Sequence, residues 1–178
     1  EKEAFKNLYK AMVHSRLEYA QSRWSPRYKK DIELIEKVQK RATKLMAICK
    51  NKPYEDRLRI LDLPTLKFRR IRGDMIEAYK IVTGIYDIEA APALEMSSTT
   101  MTRGSERKLS KVRCRTELRK HFFTQRITDI WNSLPSDVRN SSTLNLFKSA
   151  LDRFWKNQAV YYDYKSEITG TGNRSWKV

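Results

Sequence analysis

The chain has 178 residues, 40% of them hydrophobic and 11% aromatic, which is enough apolar material for a buried core and excludes wholesale disorder. Its 37 Lys and Arg against 21 Asp and Glu leave a formal net charge of +16, which points to a polyanionic partner, nucleic acid before anionic membrane. No uninterrupted apolar run approaches the roughly 18 residues of a membrane helix, so no membrane partner is expected.

Length suits one domain, or one with appendages. Five glycines and five prolines favour long regular elements over many tight turns. The opening E-K-E-A-F-K holds no apolar signal region, and without an initiator Met the chain is expected to begin inside a longer protein.

In chain order, the 3.6-residue period predicts a first helix with Phe5, Leu8, Tyr9, Met12, Val13 and Leu17 on one side, interrupted at Trp24-Ser25-Pro26. A second carries Ile32, Ile35, Val38, Ala42, Leu45, Met46 and Cys49 as its expected core stripe. A short helical piece at Arg57 to Leu61 leads into Leu63-Pro64-Thr65, a helix entry. The third long helix has Phe68, Ile71, Met75, Ala78, Tyr79 and Val82 on its stripe and stops at Thr83-Gly84. From 86 to 104 the pattern is lost and a loop is expected. K-L-S-K-V-R-C-R, 108 to 115, alternates in part, as an extended segment or edge strand does. A further helix presents Phe123, Ile127, Ile130, Trp131 and Leu134. The last presents Leu144, Phe147, Leu151, Phe154 and Trp155, with Ser142 or Thr143 placed to cap it. Beyond Ala159 the chain is polar and tyrosine-rich, and T-G-T-G-N-R-S reads as loose.

Fold class is therefore mainly α, a multi-helix bundle-like assembly with room for a short extended segment near 108–115. The expected organisation is a helical pair over 1–50, its continuation over 51–85, a linker over 86–106, a basic extended segment and C-terminal helices over 107–158, and a polar tail over 159–178.

The cations are clustered. Residues 23 to 52 hold ten Lys and Arg against three acids, and residues 103 to 126 hold nine against two. Solubility alone does not call for such clustering. At 100° per residue Lys37, Lys40, Arg41 and Lys44 fall within about 100° of one another, nearly opposite the expected apolar stripe. Such a row can follow a line of duplex phosphates. The other reading of this helix is a solvated face, with Glu33–Lys37 and Glu36–Lys40 as i,i+4 pairs. Lys29, Lys30, Lys37, Lys40, Arg41 and Lys44 make one candidate phosphate-contacting row. Arg103, Lys108, Lys111, Arg113, Arg115, Arg119 and Lys120 make a second, and Arg69, Arg70 and Arg72 a smaller group. Trp24 offers a stacking surface for a base, although an anchoring role weighs more.

No catalytic constellation stands out. Neither His14 nor His121 combines with Cys49 or Cys114 at zinc-ligand spacing, there is no glycine-rich phosphate loop, and Asp31, Asp74 and Asp129 are isolated. Both cysteines are expected to be buried small hydrophobes in an intracellular protein. The chain is expected to bind rather than to react, with no cofactor of its own.

The order of motifs carries a resemblance. L-Y-K-A-M-V-H-S-R-L-E-Y-A (8 to 20), W-S-P, I-E-K-V-Q-K-R-A-T-K (35 to 44), Y-E-D-R-L-R-I-L-D-L-P-T-L (54 to 66) and R-R-I-R-G-D-M-I-E-A-Y-K-I (69 to 81) follow one another. R-G-S-E-R-K-L (103 to 109), F-F-T-Q-R-I-T-D-I-W-N-S-L-P (122 to 135) and F-K-S-A-L-D (147 to 152) complete the series. The series resembles the region after the polymerase palm in non-LTR (LINE) retrotransposon reverse transcriptases of the jockey and chicken-repeat type. The resemblance implies an RNA-directed DNA polymerase acting in target-primed reverse transcription. The first two helices would belong to the thumb that grips the template–primer duplex. Magnesium would be bound only in the palm, whose Tyr-x-Asp-Asp motif this sequence lacks, as it lacks the endonuclease and any Cys/His knuckle. Partners implied are RNA, RNA–DNA duplex or target DNA and the parent's palm, in the cytoplasm and nucleus. The alternative is a helical protein-interaction module, or a host-retained remnant of such an element, whose exposed apolar stripes once packed on that palm.

Overall fold

A computed structural model describes residues 2–21, 24–87, 89, 91–97 and 107–170. Among them the regular structure is helical. In order come α1 (Lys2–Tyr9), a π-helical turn (Lys10–His14), α2 (Ser15–Leu17), α3 (Lys29–Thr43), α4 (Tyr54–Leu61) and α5 (Leu66–Val82). Then follow α6 (Glu117–Lys120), α7 (Phe123–Ser133), α8 (Ser136–Arg139) and α9 (Leu144–Phe154). The mainly α fold class holds.

The chain divides into two compact units. One comprises Glu1–Ile71 with Ala159–Glu167, the other Arg72–Gln158 with Ile168–Val178. This boundary differs from the expected 85/86 break and falls inside α5. Residues 159–167 are also no free tail, because Val160 is buried and its carbonyl accepts from the Thr65 hydroxyl at 2.6 Å, while Thr65 N–H donates to the Tyr161 carbonyl at 2.8 Å. Of the loose run expected at 169–175, residues 171 onward lie outside the described residues, as does the whole of 98–106.

The first unit is built on Tyr9, Met46, Cys49, Leu58, Leu61 and Leu63, with Phe5, Val13, Ala42, Tyr54, Ile60 and Tyr162 packed against them. α4 ends because Asp62 turns into the left-handed region (φ 51°), where the Leu63 amide reaches back to the Leu58 carbonyl at 3.0 Å. Two bonds from different places then open α5. The Thr65 hydroxyl accepts from the Phe68 amide at 3.1 Å, and the Glu36 carboxylate on α3 accepts from the Lys67 amide at 2.9 Å. First-turn amides have no partner inside their own helix, so these bonds fix where α5 begins.

α3 corrects the sequence reading. Its fully buried residues are Glu36, Gln39 and Thr43, while Val38 and Leu45, assigned to the core by periodicity, are exposed, Leu45 at 81%. Leu34 is exposed too, and α3 ends at Thr43, so Met46 and Cys49 reach the core from beyond it. The reason is hydrogen bonding. Glu36 accepts from the Tyr54 hydroxyl (2.6 Å), Gln39 donates to the Pro64 carbonyl (2.9 Å) and accepts from the Tyr9 hydroxyl (3.0 Å), and Arg57 donates to the Lys40 carbonyl (2.7 Å) and the Thr43 hydroxyl (2.9 Å). Four elements bring buried donors and acceptors to that side of α3, and only a polar face answers them. Likewise Leu8 on α1 and Met12 in the π-turn are exposed, while Tyr9 and His14 of the same two elements are buried.

The second unit buries an apolar, aromatic set. Met75, Ala78, Tyr79, Phe123, Ile127, Trp131, Leu134, Phe147, Leu151 and Trp155 are all buried. Tyr79 stacks on Phe147 with ring centroids 4.4 Å apart, and Trp131 lies 5.9 Å from the same ring. Most of the expected stripes of α7 and α9 are thus in the core, with Ile130, Leu144 and Phe154 only half-buried, and Thr143 caps α9 by accepting from the Leu146 amide. The extended segment is confined to an antiparallel bridge of Met96 with Leu109, held by Ser97 N–H to Lys108 carbonyl (2.8 Å) and Ser110 N–H to Glu95 carbonyl (2.7 Å). Asn132 on α7 clamps the same strand-like piece through both Leu109 backbone groups at 2.8 Å. The Trp131 indole N–H adds a bond to the Arg107 carbonyl at 2.6 Å. From 111 to 114 the chain is irregular, and Cys114, expected to be buried, is only half-buried.

Candidate nucleic-acid interface

The sequence nominates sixteen cations, and the structure sorts them into tethered and free. Lys40 is tethered: its ammonium donates to the Tyr164 hydroxyl at 2.9 Å and lies 4.4 Å from that ring centroid and 5.4 Å from that of Tyr54. Arg69 makes a two-bond pair with Glu18 through Nε and Nη2. Arg70, only 7% exposed, donates to the Leu17 carbonyl at 3.1 Å. Arg72 grips Asp152 at 2.6 and 2.8 Å, Lys111 grips Asp129 at 2.8 Å, and Lys120 pairs with Glu117. Lys108 is half-buried beside the Met96–Leu109 bridge. The Arg69–Arg70–Arg72 group is therefore not a third phosphate-contacting patch, since each side chain is spent on a named protein oxygen. Arg103 lies outside the described residues.

Lys29, Lys30, Lys37, Arg41 and Lys44 are exposed, and among the described residues none of them is in an ion pair. Among the described residues neither i,i+4 partner offered by the sequence forms an ion pair: Glu36 is buried against Tyr54, where it still feels the Lys40 charge, and Glu33 is in none. At 100° per residue Lys30, Lys37, Arg41 and Lys44 occupy an arc of roughly 60°, about 140° from the buried Glu36–Gln39–Thr43 face. From Lys30 to Lys44 the row runs about 21 Å along the axis. Beside it, on the flank away from the core, lie Leu34, Val38 and Leu45, all exposed. In the second unit Arg113, Arg115 and Arg119 are exposed and likewise hold no ion pair among the described residues, next to exposed Val112, Leu118 and Phe122.

The first unit's buried network has its own electrostatics. Burial, then the Glu36 charge, pushes the Tyr54 phenol far above its usual range, so it stays a proton donor. Burial pushes the Glu36 carboxyl up, against the Tyr54 and α5 amide bonds that favour its ionised form. Burial, with help from Arg69, pushes His14 down to about 4, so the ring is neutral at pH 7. It lies 3.4 Å from Gln39 Oε1, and its Nδ1 has no partner among the described residues. The network ties α1, α4 and the start of α5 to one side of α3, so that its cationic side faces out.

Sequence reasoning missed Glu36, Gln39 and Thr43. Their spacing, i, i+3 and i+7, marks a helical face, but only the donors of Tyr54, Arg57 and α5 reveal that it is the inner one. It also missed Tyr164 as the tether of Lys40, 124 residues away in sequence. Among the described residues no group of His, Cys, Asp and Glu is arranged to hold a metal ion, and no helix is long and apolar enough to cross a membrane. No family model matches the chain, and neither a curated protein nor a solved structure matches it.

Proposed function

We propose that this chain is the nucleic-acid-gripping C-terminal portion, thumb and post-thumb, of a non-LTR-type reverse transcriptase. In that reading it holds template RNA, RNA–DNA duplex or target DNA by its phosphates during target-primed reverse transcription, in the cytoplasm and nucleus. It has no catalytic centre of its own, and magnesium belongs to the palm. The sequence resemblance supplies the family. The observation that supports binding is the row on α3, in no ion pair among the described residues, where Lys30, Lys37, Arg41 and Lys44 share one arc of a helix whose opposite side is locked into the core. About 21 Å of such a row matches the axial rise of about six base pairs.

The test replaces Lys37, Arg41 and Lys44 with glutamine, which preserves helix propensity and leaves the buried face intact. Affinity for unrelated duplex sequences should fall alike, since phosphate contacts carry no base information. The slope of log affinity against log salt should flatten by about 3 units if all three touch phosphates. An unchanged slope overturns the reading.

One observation favours a second reading, a helical protein-interaction module. Leu34, Val38, Leu45, Ile48, Leu8 and Met12 are all exposed in the first unit. Nucleic acid leaves such a stripe uncovered. If Leu34→Ser and Val38→Ser leave fold and nucleic-acid retention unchanged, and retention is weak and insensitive to salt, the protein-interaction reading prevails.

A further inference from the structure

The aromatic side chains are sorted as sharply as the cations. Trp131 and Trp155 are 0% and 2% exposed, whereas Trp24 is 48% exposed and Tyr28, four residues on, 50%. Both lie in the connection ahead of α3. Each carries a guanidinium on its ring: Arg70 at 4.7 Å from the Trp24 centroid, Arg27 at 4.3 Å from that of Tyr28. Arg70 is no loose surface group. It is nearly buried, is tied to the Leu17 carbonyl, and its own carbonyl accepts from the side-chain Nε2 of Gln21. The neighbouring Arg69–Glu18 pair fastens the same corner, and the Trp24 amide bonds to the Ala20 carbonyl at 3.1 Å. The indole therefore rests on a fixed shelf, while about half its surface remains open to solvent.

We infer that Trp24, with Tyr28 beside it in sequence, is a stacking platform for unpaired nucleobases next to the duplex held by α3. This rests on the nucleic-acid reading and adds the class of ligand: a single-stranded extension adjoining a duplex. Stacking on an aromatic face is available to every base, so the platform is tolerant of sequence. A ring already braced by a guanidinium loses little freedom when a base lands on it. The flanking cations Arg27, Lys29 and Lys30 suit the phosphates between such bases. They also exclude the other common use of exposed aromatics, a cage for a cationic ligand, because both rings already face a positive charge.

The experiment compares three probes on the whole chain: a short blunt RNA–DNA duplex, the same duplex with an unpaired overhang, and the same overhang made abasic, which keeps the phosphates and removes the bases. The intact chain should bind the base-bearing overhang more tightly than the abasic one, by roughly tenfold to a hundredfold per stacked base. Trp24→Leu keeps an apolar anchor but no π-face and should lose that preference, while affinity for the blunt duplex is unchanged. Trp24→Phe should keep most of it, and Tyr28→Leu should lose part. Equal binding of base-bearing and abasic overhangs by the intact chain, or a preference that survives in Trp24→Leu, overturns the platform while leaving phosphate binding standing. Failure to bind even the blunt duplex overturns the nucleic-acid reading itself and the platform with it.

Discussion

The two units reach stability by different physics. The second buries rings against rings, Tyr79 on Phe147 beside Trp131, and its sequence stripes are its core. The first has an apolar cluster too, but its central helix α3 turns Glu36, Gln39 and Thr43 inward and leaves Leu34, Val38 and Leu45 in solvent. Apolar burial is non-directional and tolerant, so periodicity finds it. A buried polar network is directional, so it sets one rotation of one helix. That rotation is what lines Lys30, Lys37, Arg41 and Lys44 up outside.

The largest test of the contrast is Trp131→Ala. Its side chain is fully buried and bonded to the Arg107 carbonyl, so truncation should cost about 3–5 kcal/mol in chemical denaturation. A loss below about 1 kcal/mol, or lost nucleic-acid affinity with an unchanged melting temperature, would mean the ring is not core.

Acid should act on the first unit. The folded state holds His14 neutral, with a pKa about 4 against 6.5 for the free side chain. Its contribution is therefore intact above pH 6.5 and is withdrawn as pH falls from there toward 4, by about 3 kcal/mol. Glu36 works in the opposite sense, since a raised carboxyl pKa favours the folded state in acid. The stability difference between wild type and His14→Gln across that window isolates the histidine. A flat difference would remove His14 from the account.

Tyr54→Phe breaks the network more gently. It takes the 2.6 Å hydroxyl bond from a buried carboxylate and should cost about 2 kcal/mol at neutral pH. The loss should shrink as Glu36 is protonated. A loss that does not depend on pH would show that Glu36 is already neutral at pH 7.

The smallest effect separates tethered from free cations. Lys40→Gln releases Tyr164 and should destabilise by up to about 1 kcal/mol, whereas Lys37→Gln should change stability by less than about 0.5 kcal/mol. Affinity should reverse the order, with Lys37 lowering the salt slope by about 0.9 and Lys40 leaving it nearly unchanged. Equal effects on both measurements would erase the distinction.

Legible in the sequence alone were the helical class, most of the stripes of α7 and α9, a cap at Ser142 or Thr143, the stop at Gly84 and the two basic clusters. Each is set within one or two turns, where neighbours in sequence are neighbours in space, and Gly84 at φ 70° is a local backbone need that glycine meets without strain. Which face of α3 is buried was decided by groups 18 to 31 residues away, the Tyr54 hydroxyl and the Lys67 amide, that no period within the helix encodes. The docking of residues 159–167, through Val160 on Thr65 and Tyr164 on Lys40, was decided at separations of 95 and 124. Which cations stay free depends on whether a carboxylate, carbonyl or phenol from elsewhere comes within about 3 Å, and only the folded chain brings those oxygens near or leaves them far.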